Sequence, residues 1–398
     1  MDPREAVIVG YARTPVGRFN GGLSSLTAME LGGAAVRAAL ERSGVEAAAV
    51  EGVYMGHVLQ AGQGQITARQ AAVAGGVGMG VPATTLNKVC LSGVTAIQTA
   101  RQQIQLGEAD VVIAGGMESM SQAPYLLPKA RQGYRMGNAE VVDAMIHDGL
   151  WCAFDDEHMG AGADRMNFEY GITRDAQDEW SAASHERAAA AWKDGRFAEE
   201  VVPVDVPQRR GDAVVVDTDE GMRPGTTTES LAKLRPAFSA QGSITAGNAS
   251  QISDGAAALV VTSASYADEH GLRPLGRILA YGTVAGPDPS LHHQPADAIQ
   301  AAVAKLDGVE GGDLDLYEMN EAFAAVAIHS AQLLGVPAEK VNVNGGAVAL
   351  GHPIGCTGAR ITITLLAELR RRGGGRGAAA LCGGGGQGDA LILETVDA

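Results

Sequence analysis

Large aromatic rings are scarce in this sequence: Phe, Trp and Tyr together make up 4% of its 398 residues. A core built on stacked rings is therefore excluded. The interior must be filled by Ala, Val, Leu and Ile, within a 46% apolar composition, packed against backbones that approach closely, which suits the 54 glycines. Positive charge is also short, with 30 Lys and Arg against 46 Asp and Glu and a net charge of -16. That balance repels nucleic acid and anionic membranes, because phosphate binding needs a basic face, and it admits a polyanionic small ligand only where cations gather locally. Cysteine is limited to Cys90, Cys152, Cys356 and Cys382, with no CxxC pair. So few and so scattered, they exclude a disulfide scaffold and a structural zinc, and a reducing cytosol fits best. No uninterrupted apolar stretch reaches the roughly 18 residues of a membrane span. The first residues carry Asp2 and Glu5 where a secretory signal is basic, and their apolar run stops at Val9, so the expectation is a soluble, unsecreted, cytoplasmic protein.

At this length the chain exceeds one ordinary domain and holds enough apolar residues for a sizeable core. Its first 120 residues alternate β-type runs with helical patterns: Ala6 to Val9, a helix from about Thr27 to Arg42, a helix around Ala68, then Cys90 to Leu106 and Val111 to Ala114. The last 125 residues repeat the rhythm, with strands at Arg277 to Ala280, Leu314 to Met319 and Ala378 to Leu381. Helices are expected at Ala296 to Leu306, Glu321 to Leu334 and Ile354 to Arg371. Such alternation favours an α/β fold with a mostly parallel sheet covered by helices. The halves also place similar chemistry at similar points, KVCLSGV beside LGHPIGCTGA and VVIAGGMES beside AALCGGGGQG, as a duplication would. Ser121 to Ser250 differs in texture, being charged, rich in Met, Trp and Tyr, and broken by Pro203, Pro207, Pro224 and Pro236. It reads as an insertion that caps a site.

Four segments carry candidate chemistry. Cys90, in Asn87-Lys-Val-Cys-Leu-Ser-Gly, precedes an apolar-periodic run, so its sulfur is expected near a helix N-terminus, where unpaired amides and the macrodipole favour a thiolate. The competing reading is a small buried residue. His352 is flanked by glycines and followed by Pro353 at an expected first helical position; it is either a base close to another segment or part of a structural turn. Leu381-Cys-Gly-Gly-Gly-Gly-Gln-Gly388 follows a buried run. Four glycines weaken a strand, so they point to amides presented to an oxyanion, while a phosphate loop would need a following Gly-Lys-Ser/Thr. Asn320 stands at a strand-to-helix junction as either an N-cap or an active-site donor. Adjacent His292 and His293 in a Pro-rich loop read as a solvated surface pair rather than a metal site. His57, His147, His185, His270 and His329 lack partners at ligand spacing.

Taken together and in order, NKVCLSG, GNASQISDGAAA, NEAFAA, NVNGGAVALGHPIG and CGGGGQG resemble the thiolase family from residue 6 to about 394, with the closest likeness to its acetoacetyl-CoA thiolase (acetyl-CoA acetyltransferase) branch. The resemblance implies a five-layered α-β-α-β-α fold. One half spans residues 1–120 with 251–271 and the other spans 272–398; residues 121–250 form a loop domain for CoA binding and subunit contacts, usually in a homotetramer or homodimer. It implies reversible condensation of two acetyl-CoA into acetoacetyl-CoA and CoA, or the reverse thiolysis. Cys90 would carry the acyl group, His352 would take its proton, and Cys382 would be the second acid/base. Asn320 would join His352 in binding the enolate oxygen, and the amides of Cys90 and Gly384 would form the other oxyanion hole. For CoA the family pattern carries over to Leu150, His158, Met159, Arg223, Ser230, Phe238 and Ser250. Lys129, Arg131 and Arg135, in a stretch without acids between Glu118 and Glu140, suit CoA phosphates, a subunit contact or a solvated face. No metal and no prosthetic group is implied; CoA thioesters are the substrates, and neither nucleic acid nor membrane is a partner.

Two departures stand out. Leu291-His-His-Gln-Pro295 replaces the Met-Gly-x-Gly-Pro that often lies beside the acyl pocket, which leaves chain length open and keeps 3-ketoacyl-CoA thiolysis of longer chains as an alternative. Cys356 stands where Ala or Ser is common and reads as filler. A ketoacyl-ACP synthase would rely on two histidines where this chain has Asn320 and Cys382, and a silent CoA-binding subunit would have no need of all four reactive residues.

Overall fold

The computed structural model describes residues 2–396. Its centre is a ten-stranded mixed sheet. In chain order the strands are β1 (Ala6–Arg13), β2 (Gly17–Arg18), β3 (Gly52–Gly56), β4 (Ala83–Leu86), β5 (Val111–Ser119), β6 (Ser253–Ser263), β7 (Gly276–Ala285), β8 (Leu316–Met319), β9 (Arg376–Gly383) and β10 (Gln387–Thr395). Across the sheet they run β8-β9-β10-β7-β1-β6-β5-β3-β4, with β2 paired to β6. The seam is the antiparallel pair β1 and β7, where Val7 faces Arg277 and Ile8 faces Gly276. Outward from it, and setting aside the two-residue β2, each half presents its first strand, its last, its last but one and its second. The first half then adds β4, and at the equivalent place the second has a parallel bridge between Tyr317 and Val341.

The expected parallel sheet is not what forms. Only β3/β4, β3/β5 and β8/β9 pair in parallel, whereas the pairings of β1, β6, β7 and β10 are antiparallel. The reason is that each half ends in a central strand that adds antiparallel to the strand before it, β10 through a tight hairpin and β6 after the whole 121–250 insertion, and the alternating rhythm does not announce such a strand.

The principal helices are α1 (Ala28–Ser43), α2 (Thr67–Ala74), α3 (Ser92–Leu106), α4 (Met159–Glu169), α5 (Arg174–Lys193), α6 (Gln294–Val303), α7 (Ala324–Leu334) and α8 (Thr357–Arg371). Their ends follow local chemistry. Thr27 and Glu30 close a capping box on α1, and Gly44 ends it at φ 72. Because strand side chains alternate, Val7 and Val9 join the core of α1 and α2, while Ala6 and Ile8 join that of α3 and α8. Likewise Ala378 and Ala380 pack with α6 and α7, and Ala379 and Leu381 with the central helices. The result is five layers, α-β-α-β-α, with β1, β5, β6, β9 and β10 largely buried on both faces, which is why these read as nearly unbroken apolar runs.

At the middle, α3 and α8 meet almost backbone to backbone. A Cβ at Gly93 would lie 2.7 Å from the amide nitrogen of Ala359, and one at Gly358 would lie 2.4 Å from that of Val94. Since each helix is preceded by a candidate reactive residue, this contact brings Cys90 and His352 to one place. Residues 121–250 add α4, α5 and three two-stranded ribbons, with 127–141 exposed throughout.

Candidate active site

Cys90 sits in a tight turn, two residues before the first residue of α3 rather than within the helix. The turn is held by hydrogen bonds: the amide of Lys88 donates to Oγ of Ser92 (2.8 Å), that hydroxyl donates to the carbonyl of Val89 (2.6 Å), and the amide of Val89 donates to Oδ1 of Asn87 (3.0 Å). Val89 has φ 50, a costly conformation for a β-branched residue. From the strand side, Nζ of Lys88 lies 2.7 Å from the fully buried carboxylate of Asp389 on β10, which also accepts from Thr95 (3.0 Å).

His352 follows Gly351, and its amide donates to the carbonyl of Gln251 (3.1 Å). Pro353 is not a first helical residue, because the chain turns once more before α8 begins at Thr357. Nε2 of His352 faces Sγ of Cys90 at 3.2 Å. Nδ1 lies 2.6 Å from Oγ1 of Thr357. Asn320 follows the last residue of β8 and its amide donates to the carbonyl of Ala380 (2.9 Å). It caps nothing: α7 starts at Ala324, with Phe323 before it. Its Nδ2 lies 3.4 Å from Nε2 of His352, and its buried Oδ1 has no partner among the described residues. Cys382 ends the apolar part of β9 and packs with Ala163, Ile244, Leu291, Ala322, Phe323 and Val326. Gly383–Gly386 form the hairpin between β9 and β10 rather than a phosphate loop. A Cβ at Gly384 would lie 3.4 Å from Val89, so the hairpin leans on the Cys90 turn.

Burial dominates the electrostatics of Cys90, Cys382 and His352. Burial pushes the Cys90 thiol up to about 12, against a smaller opposing effect from a backbone hydrogen bond, so burial outweighs the thiolate stabilisation expected of a helix N-terminus. The thiol of Cys382 is raised further, first by burial and then by Cys90. Burial, with Arg360 second, pushes the His352 imidazole down to about 3. A buried neutral imidazole beside a buried thiol is a general base in its working form.

Sequence reasoning overlooked the carboxylate that assembles this centre. Glu118, at 0% exposure, accepts from the amides of Val58 (3.1 Å), Leu59 (3.1 Å) and Gly355 (2.9 Å), with Nε2 of His57 at 3.3 Å. It ties the loop after β3 to the loop carrying His352, and Val58 and Leu59 wall the Cys90 side chain. Its signal was present, a charged residue at the end of the otherwise apolar run VVIAGGM. The His292 expectation fails: the ring is fully buried, Nε2 pairs with Oδ1 of Asn167 (2.7 Å), and burial pushes it down to about 3. His293 is bound to Asp297 (2.7 Å) and Ser290 (2.9 Å).

With this geometry, comparison with known proteins is decisive. The description Thiolase, N-terminal domain, matches residues 6–265, and Thiolase, C-terminal domain, matches residues 272–395. The chain belongs to the thiolase family. It is 56% identical to a probable acetyl-CoA acetyltransferase of Mycolicibacterium smegmatis, covering 97% of this chain and 100% of that one. It is 51% identical to the acetyl-CoA acetyltransferase of Pseudomonas aeruginosa, covering 98% and 99%. A crystal structure of the Bacillus anthracis acetyl-CoA acetyltransferase superposes with a TM-score of 0.96 at 44% identity, over 98% of this chain and 99% of that one.

Around Cys90 and His352 the remaining candidate residues divide into two groups. Leu150 packs against the apolar cluster that contains Cys90, and Met159 and Phe238 against the one that contains Cys382. His158 stacks on Phe238 at 4.5 Å, and the half-buried Ser250 donates its amide to the carbonyl of Ala322 (3.1 Å). Arg223 and Ser230 lie on an exposed segment, where Ser230 closes a local capping box with Thr227. Lys129, Arg131 and Arg135 stand on the exposed 127–141 loop. A cleft of roughly 270 Å³ opens alongside; its wall includes Met159, Ala163, Leu291 and Gly385, and none of the four reactive residues lines it. Among the described residues no cluster of His, Cys, Asp and Glu is placed to hold a metal, and no helix is long and apolar enough to cross a membrane.

Proposed function

We propose that the protein is an acetyl-CoA C-acetyltransferase that condenses two acetyl-CoA into acetoacetyl-CoA and CoA, and cleaves acetoacetyl-CoA in reverse, through an acyl group on Cys90. The observation that carries this is the 3.2 Å contact between Sγ of Cys90 and Nε2 of His352, with Asn320 on the same nitrogen.

In the first half-reaction the Cys90 proton passes to Nε2 as sulfur bonds to the thioester carbonyl. The C–S bond to CoA breaks, and the departing sulfur takes the proton of Cys382. In the second, the Cys382 thiolate removes a methyl proton from the next acetyl-CoA. The enolate oxygen is held by protonated His352 and by Asn320, whose unpartnered Oδ1 suits a bound water. The new C–C bond forms at the acyl carbon, Cys90 leaves as thiolate and recovers its proton from His352. Two proton transfers at one carbon need two bases, and each oxyanion needs its own fixed donors; the amides of Cys90 and Gly384 serve the acyl side. CoA lies across Leu150, His158, Met159, Phe238 and Ser250, with Arg223 and Ser230 at its nucleotide end. The same reading assigns residues 1–120 with 251–271 and 272–398 to the two halves and 121–250 to the loop domain, in a homotetramer, a dimer of dimers, working in the cytoplasm.

A second reading, thiolysis of longer 3-ketoacyl-CoA, is favoured by the cleft beside Leu291 and Met159. The test is CoA-dependent loss of acetoacetyl-CoA, followed at its enolate absorbance, for wild type and Cys90→Ala, beside a medium-chain 3-ketoacyl-CoA. Rapid loss abolished in the variant is expected. Turnover of the longer substrate alone would overturn the acetyl specificity, and turnover of neither with CoA still bound would overturn the enzyme reading.

A further inference from the structure

We infer that Thr357 is a positioning residue that fixes which nitrogen of His352 carries the proton, a role that rests on the proposed Cys90 acylation. Thr357 opens α8 and is fully buried. Its Oγ1 lies 3.0 Å from the carbonyl oxygen of Pro353 and 2.6 Å from Nδ1 of His352. A hydroxyl has one proton, and a carbonyl can only accept. With the hydroxyl directed to Pro353 it presents a lone pair to the ring and Nδ1 bears the hydrogen, the arrangement that also leaves Nε2 able to accept from Nδ2 of Asn320 at 3.4 Å. Nε2 is left with a lone pair aimed at the Cys90 thiol. With the proton on the other nitrogen, Nε2–H would point at a thiol that has its own proton to give, and transfer would stall.

The same bond serves the whole cycle. When Nε2 takes the Cys90 proton, Nδ1–H still donates to Thr357, so only the Nε2 proton moves. The helix geometry supplies the precision. Because the α3–α8 contact at Gly93 and Gly358 leaves no room for sliding, the hydroxyl and the thiol are held on opposite edges of one ring. Orientation of a catalytic imidazole by a hydrogen bond to its far nitrogen is a general device.

The test compares Thr357→Val, which keeps the shape and removes the acceptor, with Thr357→Ser, which keeps the hydroxyl. Acetylation of Cys90 by acetyl-CoA is followed by peptide mass, steady-state thiolysis gives kcat and KM, and iodoacetamide alkylation of Cys90 at mildly acidic pH gives a readout independent of any CoA substrate. In Thr357→Val, acetylation, kcat and alkylation should each fall about 10- to 100-fold, the effect of one buried ring N–H left without a partner. KM should stay within about twofold, and Thr357→Ser should lie within about threefold of wild type in every assay. Wild-type rates in Thr357→Val, or equal losses in both variants, would overturn the assignment. If wild type is not acetylated by acetyl-CoA, the acetyltransferase reading falls, and the alkylation rates still decide for or against Thr357.

Discussion

Replacing Glu118 by Gln tests whether one buried carboxylate assembles the reactive centre. Its two oxygens receive the amides of Val58 and Gly355 on one side, and the amide of Leu59 with the ring of His57 on the other. A glutamine has one oxygen and one NH2, so one side must turn donor against donor. The milder arrangement puts the NH2 toward Leu59 and His57, because an imidazole can change tautomer and accept while an amide cannot. That strands the Leu59 amide, at about 1–3 kcal/mol, and reduces the bonds to Val58 and Gly355 from charge-assisted to neutral, at about 1 kcal/mol each. The total is about 3–5 kcal/mol, large for a single side chain and consistent with its 0% exposure. Urea unfolding of both proteins under identical conditions, read as the change in midpoint at constant slope, measures it. Because Gly355 belongs to the loop that carries His352, kcat should fall at least about tenfold, the scale of a misplaced catalytic group. A stability loss below about 1 kcal/mol with unchanged kcat would refute the reasoning.

Two further outcomes follow from the same geometry. Since His352 is pushed down to about 3 and Cys90 up to about 12, the imidazole is neutral, and so able to accept a proton, at any pH above its depressed pKa; that capacity is lost only as pH falls through about 3. The profile of kcat/KM should therefore be flat from mildly acidic to mildly alkaline pH, and an acid limb near the ordinary imidazole value of about 6.5 would contradict it. In the glycine hairpin, Gly386→Ala should cost at least about 2 kcal/mol, because φ is 69 and the Cβ would stand 2.0 Å from the carbonyl oxygen of Asp288. Gly384→Ala, whose Cβ first meets Val89 at 3.4 Å, should stay within about 1 kcal/mol by the same denaturation measurement.

Much of the fold is written locally. Capped helices such as α1 and buried runs such as β1 need no distant partner to be recognised, and the repeated rhythm of the halves reappears as matching strand order about the β1/β7 seam. What stays hidden is pairing across long separations. Ser253–Ser263 finds β1 and β5 only after the whole insertion has been passed, and nothing in SDGAAALVVTS states a direction. The same limit explains His292. A histidine pair in a Pro-rich loop looks solvated until Asn167, from the insertion, closes over it. The four reactive residues could be picked out one by one, since each stands beside glycines or small residues at the end of a strand or shortly before a helix. Their meeting depends on Gly93, Gly358 and Glu118, whose importance is visible only once β5, α3 and α8 are packed.

The most direct test of the central claim is to mix the protein with acetyl-CoA alone, quench, and determine the mass of the peptide containing Cys90, alongside His352→Ala. The account predicts one acetyl group on Cys90 of the wild type, formed with release of CoA and greatly slowed in the variant. Release of CoA with Cys90 unmodified, or an acetyl group carried on Cys382 or Cys356 instead, would contradict it.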